Sequence, residues 1–282
     1  MKIREAINKG MIDLKVNGLE TPKMKARLLM QFVLNKPRQY IIIYDNLELS
    51  KEQENEYFKN IKKLINGIPL QHITHLQEFM KLNFYVDKNV LIPRADTEIL
   101  VEEVISIAKK INAKKFLDLC TGSGAIAVSL AKYIAKSQVT AVDISEKALN
   151  VAEKNAISNN VESQITFVKS DLFENLPKDK YDIIVSNPPY IKKSVISTLS
   201  KEVRNEPTIA LDGGKDGLNF YRKILKEGYE YLKYRGYICL EIGYDQKYDV
   251  IELIENEGKY TNTYSKKDLF DNDRIIITRL SD

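Results

Sequence analysis

The sequence predicts an α/β protein: a Rossmann-like domain with a mostly parallel sheet, preceded by a small helical bundle. Three observations carry this. From Lys115 onward, short apolar strands alternate with helix-length periodic segments, the pattern of a parallel sheet with helices on both faces. The first of these strands runs into a glycine loop and a helix. The first 70 or so residues, by contrast, carry only helical periodicity.

In chain order, Ile3, Ile7 and Met11 repeat every four residues. Thr21-Pro22 signals a helix start, with Thr21 as N-cap and Pro22 at the first helical position. Met24, Leu28, Leu29, Phe32 and Val33 then trace the expected buried face. Ser50 and Gln53 match a capping box, followed by Tyr57, Phe58, Ile61, Leu64 and Ile65 at helical spacing and a stop at Gly67. The closely spaced Phe79, Leu82, Phe84, Val86, Val90 and Leu91 read as a β-hairpin linker. Pro93 opens a helix with Leu100, Val104, Ile107, Ala108 and Ile111 as its apolar face. Strands are expected over 116–120, 138–144, 165–170, 181–186 and 237–243, and helices over 125–134, 146–158 and 218–232. Two β-rich runs, 260–264 and 274–279, close the chain. The expected organisation is a bundle over residues 1–75, a hairpin linker over 76–93 and a larger domain over 94–282.

Composition narrows the chemistry. The chain of 282 residues is 44% apolar, enough for a core, and its 43 basic and 39 acidic side chains leave a net charge of +4. That is a weak electrostatic footprint for nucleic acid, so no direct nucleic-acid binding is expected. Two Cys and two His exclude a disulfide framework, a four-Cys zinc site and a His triad, and no metal site is expected. The scarcity of Cys fits a reducing compartment, and with no signal-peptide h-region and no membrane-length apolar run a cytoplasmic location is expected; a monomer is the expected state.

The segment Asp118-Leu119-Cys120-Thr121-Gly122-Ser123-Gly124 joins the first strand of the alternating region to its helix, a way of holding a nucleotide-like ligand. Asp143, 19 residues past Gly124, ends the next strand and can accept ribose hydroxyls. A dinucleotide fits poorly: Cys120 stands where the first glycine of that fingerprint would be, the third glycine is missing, and Asp118 would oppose a pyrophosphate. An acidic strand end instead suits the cationic S-adenosylmethionine. Asp171 can accept from an adenine amine, with Leu172 or Phe173 covering the ring.

The following strand ends in Ser186-Asn187-Pro188-Pro189-Tyr190. Two prolines lack N–H donors and force an irregular turn. The Asn187 side-chain oxygen and the Pro188 carbonyl are then two fixed acceptors, and Tyr190 offers a flat face. A planar NH2 fits them. Accepting its two hydrogens pushes electron density onto nitrogen and stabilises the charge that builds as a methyl group arrives.

With these motifs on the page, nearly the whole chain resembles the peptide chain release factor N5-glutamine methyltransferases, the HemK-type enzymes. The likeness runs through Gly67-Ile68-Pro69-Leu70-Gln71-His72-Ile73-Thr74, Glu78-Phe79, Leu91-Ile92-Pro93-Arg94, Asp96-Thr97-Glu98, the Asp118–Gly124 loop, Asp143 and Asn187–Tyr190. It continues in Val203-Arg204, Glu206-Pro207, Ala210-Leu211, Gly213-Gly214, Asp216-Gly217, Glu241-Ile242-Gly243 with Gln246, Lys267-Asp268-Leu269 and Asp273-Arg274.

The resemblance implies a five-helix N-terminal domain for substrate recognition and a seven-stranded methyltransferase domain with an antiparallel final strand. It implies S-adenosylmethionine as donor and the glutamine of the Gly-Gly-Gln loop in class 1 release factors as acceptor. Asn187, Pro188, Pro189 and Tyr190 are then the catalytic and substrate-binding residues. Asp118, Cys120, Thr121, Gly122, Ser123, Gly124, Asp143, Asp171, Leu172 and Asn187 are the expected cofactor contacts, and Arg94 steadies the linker. His72 and His75 become structural. Three positions depart from the family: Cys120 where Gly is frequent, which a negative φ would tolerate, Ala95 in place of Pro, and Met80-Lys81 after Phe79. The alternatives are an N6-adenine methyltransferase of DNA or RNA, which uses a similar motif, and a non-catalytic adaptor that keeps the cofactor fold.

Overall fold

A computed structural model describes residues 1–282, which form two compact units: Met1–His75 with Ser200–Asn205, and Leu76–Leu199 with Glu206–Asp282. The first unit contains α1 (Ile3–Val16), α2 (Pro22–Leu34), α3 (Arg38–Ile43), α4 (Lys51–Ile65) and α5 (Leu70–Thr74). Ser50 caps α4 as expected: its hydroxyl accepts the Gln53 N–H and the Gln53 side chain accepts the Ser50 N–H.

Two expectations in α2 are corrected. Thr21 stands at the N-cap position but has φ +49° and makes no side-chain cap. A capping oxygen is aimed at the helix N–H groups from extended backbone, which Thr21 does not have. The buried face is also shifted. Met24, Leu28 and Phe32 are 52%, 37% and 38% exposed, while Ala26, Leu29 and Met30 are fully buried. Ala26, Leu29, Met30 and Val33 follow i, i+3, i+4, i+7. A small residue at 26 lets the Tyr57 hydroxyl reach the Ala26 carbonyl at 3.2 Å.

The second unit begins with the hairpin β1 (Gln77–Phe79) and β2 (Leu82–Phe84), whose turn residues Met80 and Lys81 both have positive φ. Glu98 accepts the Met80 N–H and the Tyr133 hydroxyl donates to the Met80 carbonyl, which hold this glycine-free turn. Then come α6 (Ala95–Ile111), β3 (Lys115–Leu119), α7 (Ala125–Tyr133), β4 (Gln138–Asp143), α8 (Glu146–Ser158), β5 (Ile165–Lys169) and β6 (Tyr181–Ser186). The one-turn α9 (Lys201–Arg204) belongs to the first unit, where Asn205 donates to the Gly67 carbonyl at 2.9 Å and Glu202 pairs with Lys25. The chain closes with α10 (Asn219–Gly228), β7 (Leu232–Glu241), α11 (Lys247–Glu257), β8 (Tyr260–Lys267) and β9 (Asp273–Leu280).

The sheet order is β5-β4-β3-β6-β7-β9-β8, parallel except that β9 runs antiparallel to both its neighbours. The order turns back at β3, which opens a crevice at the carboxyl ends of the parallel strands. Apolar layers fill both sheet faces. One is built around Phe116, Val128, Ile183 and Ile275, the other around Leu117, Ile184, Tyr221 and Ile276.

Three details differ from the sequence reading. The helix expected to reach Leu232 ends at Gly228, because Leu232 is already paired with Tyr181 in the sheet. Ile111 ends α6 exposed. The helix α11 is not expected from the sequence, although Val250 and Ile254, both buried, stand four apart and Gly258 (φ +63°) follows its end.

Candidate active site

Sheet register assembles the site. Leu119, the last residue of β3, pairs with Val142 on one side and Ser186 on the other. Asp143 pairs with Lys169. The residues that follow these strand ends are therefore neighbours: the Cys120–Gly124 loop, Asp143, Ser170-Asp171 and Asn187.

The loop is held from below. Asp118 is fully buried, and its Oδ2 accepts the Thr121 hydroxyl at 2.6 Å and the Ala127 N–H at 3.1 Å, while Oδ1 has no hydrogen-bond partner. Burial pushes its carboxyl up to about 7, with Asp143 adding to the rise and those two donors opposing it. Expected to face a cationic ligand, Asp118 instead braces the loop. Gly124 has φ +78°, and a Cβ there would lie 2.9 Å from the Ala152 Cβ, so close packing of loop on α8 needs glycine. Asn155, buried on the same helix, donates to the Ser123 carbonyl at 2.9 Å. Cys120 does not have the negative φ that would make it an easy replacement for Gly. It stands at φ +59°, held there because Thr121 N–H is fixed to the Val142 carbonyl and the Leu119 carbonyl receives the Ser186 hydroxyl.

Above the loop lies an open cavity. Its walls include Cys120, Gly122, Asp143, Asp171, Leu172, Asn187 and Pro189. Asp143 Oδ2 accepts the Gly122 N–H at 2.9 Å and Oδ1 the Ser145 N–H at 2.8 Å. Each oxygen keeps a second lone pair. Burial raises the Asp143 carboxyl, and these backbone donors oppose the rise. Asp171 also pairs with Lys223 at 3.1 Å. Of the two candidates for covering a ring, Leu172 lines the cavity, whereas Phe173 is buried in the core and stacked on Tyr231. Thr121, Ser123, Gly124, Pro188 and Tyr190 do not line the cavity. Arg94 forms an ion pair with buried Glu206, which also accepts the Ile92 N–H at 2.8 Å.

The Asn187–Tyr190 turn is clamped. Asn187 Nδ2 donates to Thr97 Oγ1 at 3.1 Å. The Tyr190 hydroxyl donates to Glu241 Oε1 at 3.2 Å, and Gln246 Nε2 donates to the Tyr190 carbonyl at 3.0 Å. The half-buried Tyr190 is thus anchored through its hydroxyl and its carbonyl. No donor of the chain takes Asn187 Oδ1 or the Pro188 carbonyl. Glu241 is buried; desolvation pushes it up to about 7, while Thr97, Arg274 and Tyr190 pull it down. No cluster of His, Cys, Asp and Glu suited to a metal occurs, and no helix is long and apolar enough to cross a membrane.

Comparison with known proteins gives this geometry a lineage. A family model described as a methyltransferase small domain matches residues 95–214, and one described as the PrmC N-terminal domain matches residues 5–74. The release factor glutamine methyltransferase of Clostridium acetobutylicum is 40% identical over 98% of each chain. This chain belongs to the release factor glutamine methyltransferase family. Its Clostridium botulinum relative of the same description is 38% identical over 99% of each chain. Among solved structures, the catalytic domain of hMettl16, described in complex with a MAT2A 3'UTR hairpin, shares the fold at 17% identity and a TM-score of 0.58, covering 77% of this chain and 84% of that one.

Several cavity walls carry no local signal in the sequence. Asn89, Val90 and Leu91 after the hairpin, Pro207, Ile209 and Ala210 after the excursion through α9, and Phe220 of α10 all line the methyltransferase cavity. Only Leu91, Pro207 and Ala210 lay within family-like runs. Thr97 and Glu241 were also in such runs, but nothing local tied them to Asn187 or Tyr190.

Proposed function

We propose that this chain transfers a methyl group from S-adenosylmethionine to the side-chain amide nitrogen of the glutamine in the Gly-Gly-Gln motif of class 1 release factors. The observation that carries the reading is a pair of acceptors without intramolecular partners, Asn187 Oδ1 and the Pro188 carbonyl, in a turn whose Asn187 and Pro189 line the cavity. The cavity suits the donor. Gly122 brings backbone close, Asp143 keeps lone pairs for ribose hydroxyls, Leu172 supplies an apolar surface, and the acidic side chains at the strand ends favour a cation. The bound cofactor supplies an electrophilic methyl on a sulfonium.

The chain's own residues do the rest. Asn187 and Pro188 each receive one amide hydrogen, which orients the nitrogen and returns electron density to it. The same two dipoles stabilise the positive charge that forms during transfer. The alkylated nitrogen is acidic enough to lose its proton without a strong base, in keeping with a site that offers no histidine. The relatives' described substrate and the match to the PrmC N-terminal domain support a protein acceptor over a nucleic acid.

The test is incubation of the purified protein with methyl-labelled S-adenosylmethionine and either an unmodified release factor or a DNA duplex. Label is expected on the release factor alone, and lost when its Gly-Gly-Gln glutamine is replaced by alanine or when Asn187→Ala is used as enzyme. Label on DNA and not on the factor would establish the nucleic-acid reading instead, and no label on either would favour the adaptor.

A further inference from the structure

The end of the Asn187 side chain carries two groups of nearly equal shape and opposite hydrogen-bonding character. Only Oδ1 can receive an N–H from the acceptor substrate; Nδ2 turned to the cavity would set donor against donor. The turn's backbone does not choose between these orientations. The choice lies with Thr97, in the first turn of α6, which is buried and whose Oγ1 receives Asn187 Nδ2 at 3.1 Å.

A hydroxyl both donates and accepts, so Thr97 needs a partner to fix its own direction. Beneath it stands Glu241, at the end of β7 and 1% exposed. Its Oε1 is taken by Tyr190, while Oε2 has no hydrogen-bond partner. Among the influences that favour the ionised carboxyl, the Thr97 hydroxyl is the largest, ahead of the Arg274 charge, with Asp96 opposing. When ionised, this carboxylate draws the Thr97 proton toward itself and leaves the Oγ1 lone pairs for Asn187 Nδ2. With its proton on that side, Thr97 has only lone pairs for Asn187, and Asn187 must offer Nδ2.

We infer that Thr97 is a positioning residue, which sets the Asn187 amide so that Oδ1 is left for the substrate N–H. This rests on the methyl transfer proposed above, and its test separates the two. Thr97→Val keeps the shape and removes the hydroxyl; Thr97→Ser keeps the hydroxyl. At saturating cofactor and release factor, Thr97→Val is expected to lower kcat by tenfold or more, while Thr97→Ser stays within threefold of wild type. Affinity for S-adenosylhomocysteine, measured by calorimetry, is expected to stay within twofold in both. Proton exchange of the Asn187 side-chain amide, followed by NMR, is expected to be slowed in wild type and Thr97→Ser and fast in Thr97→Val. A Thr97→Val kcat within twofold of wild type, or a Thr97→Ser enzyme as slow as Thr97→Val, would overturn the inference. If wild type labels no release factor, the functional proposal fails, and unchanged amide exchange in Thr97→Val would still overturn the role of Thr97. Thr97→Ala repeats the test should valine prevent folding.

Discussion

Asp143 Oδ2 receives the Gly122 N–H at 2.9 Å, so the end of β4 and the glycine loop after β3 form one rigid edge of the cavity. Its other oxygen holds the Ser145 N–H at the start of α8. Asparagine has one oxygen and cannot serve both donors. Asp143→Asn should therefore raise the dissociation constant for S-adenosylhomocysteine about 10–100-fold, the order expected when charge-assisted hydrogen bonds are lost. Calorimetric titration checks this. An unchanged constant would remove Asp143 from the ligand site.

Gly122 and Gly124 differ in why they are glycine. Both have positive φ, but a Cβ at 122 would meet nothing closer than 4.0 Å, whereas one at 124 would strike Ala152. Gly122→Ala should cost about 1–2 kcal/mol from backbone strain alone. Gly124→Ala should cost about 2–4 kcal/mol, since overpacking adds to the strain. Urea denaturation of the two variants measures the difference, and a costlier Gly122→Ala would contradict this account of the loop.

Glu241, with its carboxyl pushed up to about 7 from an ordinary 4.5, links stability to pH. Between those values the folded chain holds a proton that the unfolded chain has released, so this group's contribution falls as pH rises. Glutamine at 241 cannot titrate. The stability of Glu241→Gln relative to wild type should therefore increase from pH 4.5 to 7.5 and level off above. The full span is roughly 2–3 kcal/mol. Asp118 titrates in the same range but is present in both proteins, so it cancels in the difference. Denaturation at several pH values tests this; a flat difference would mean that Glu241 stays ionised in the fold.

The parts legible in the sequence were those whose chemistry is local. The Cys120–Gly124 loop, Asp143 and the Asn187–Tyr190 turn stand at strand ends that apolar runs and glycine or proline punctuation mark out. The buried face of α2 is not legible in the sequence because that helix has apolar residues on more than one side. Which side is buried depends on Tyr57 reaching over Ala26, a contact 31 residues away.

The sequence by itself determined a helical first segment, a parallel sheet with the glycine loop on its first strand, and the Asn187–Tyr190 turn at a strand end. Periodicity and turn chemistry act within a few residues and are written in order along the chain. Tertiary structure decided what each group faces. It turned Asp118 into the loop, Phe173 into the core and Tyr190 toward Glu241, gave α9 to the first unit, and set Thr97 against Asn187 across 90 residues of sequence. Such directions follow from strand register and core packing, which depend on every element at once and leave no periodic trace at the residue concerned.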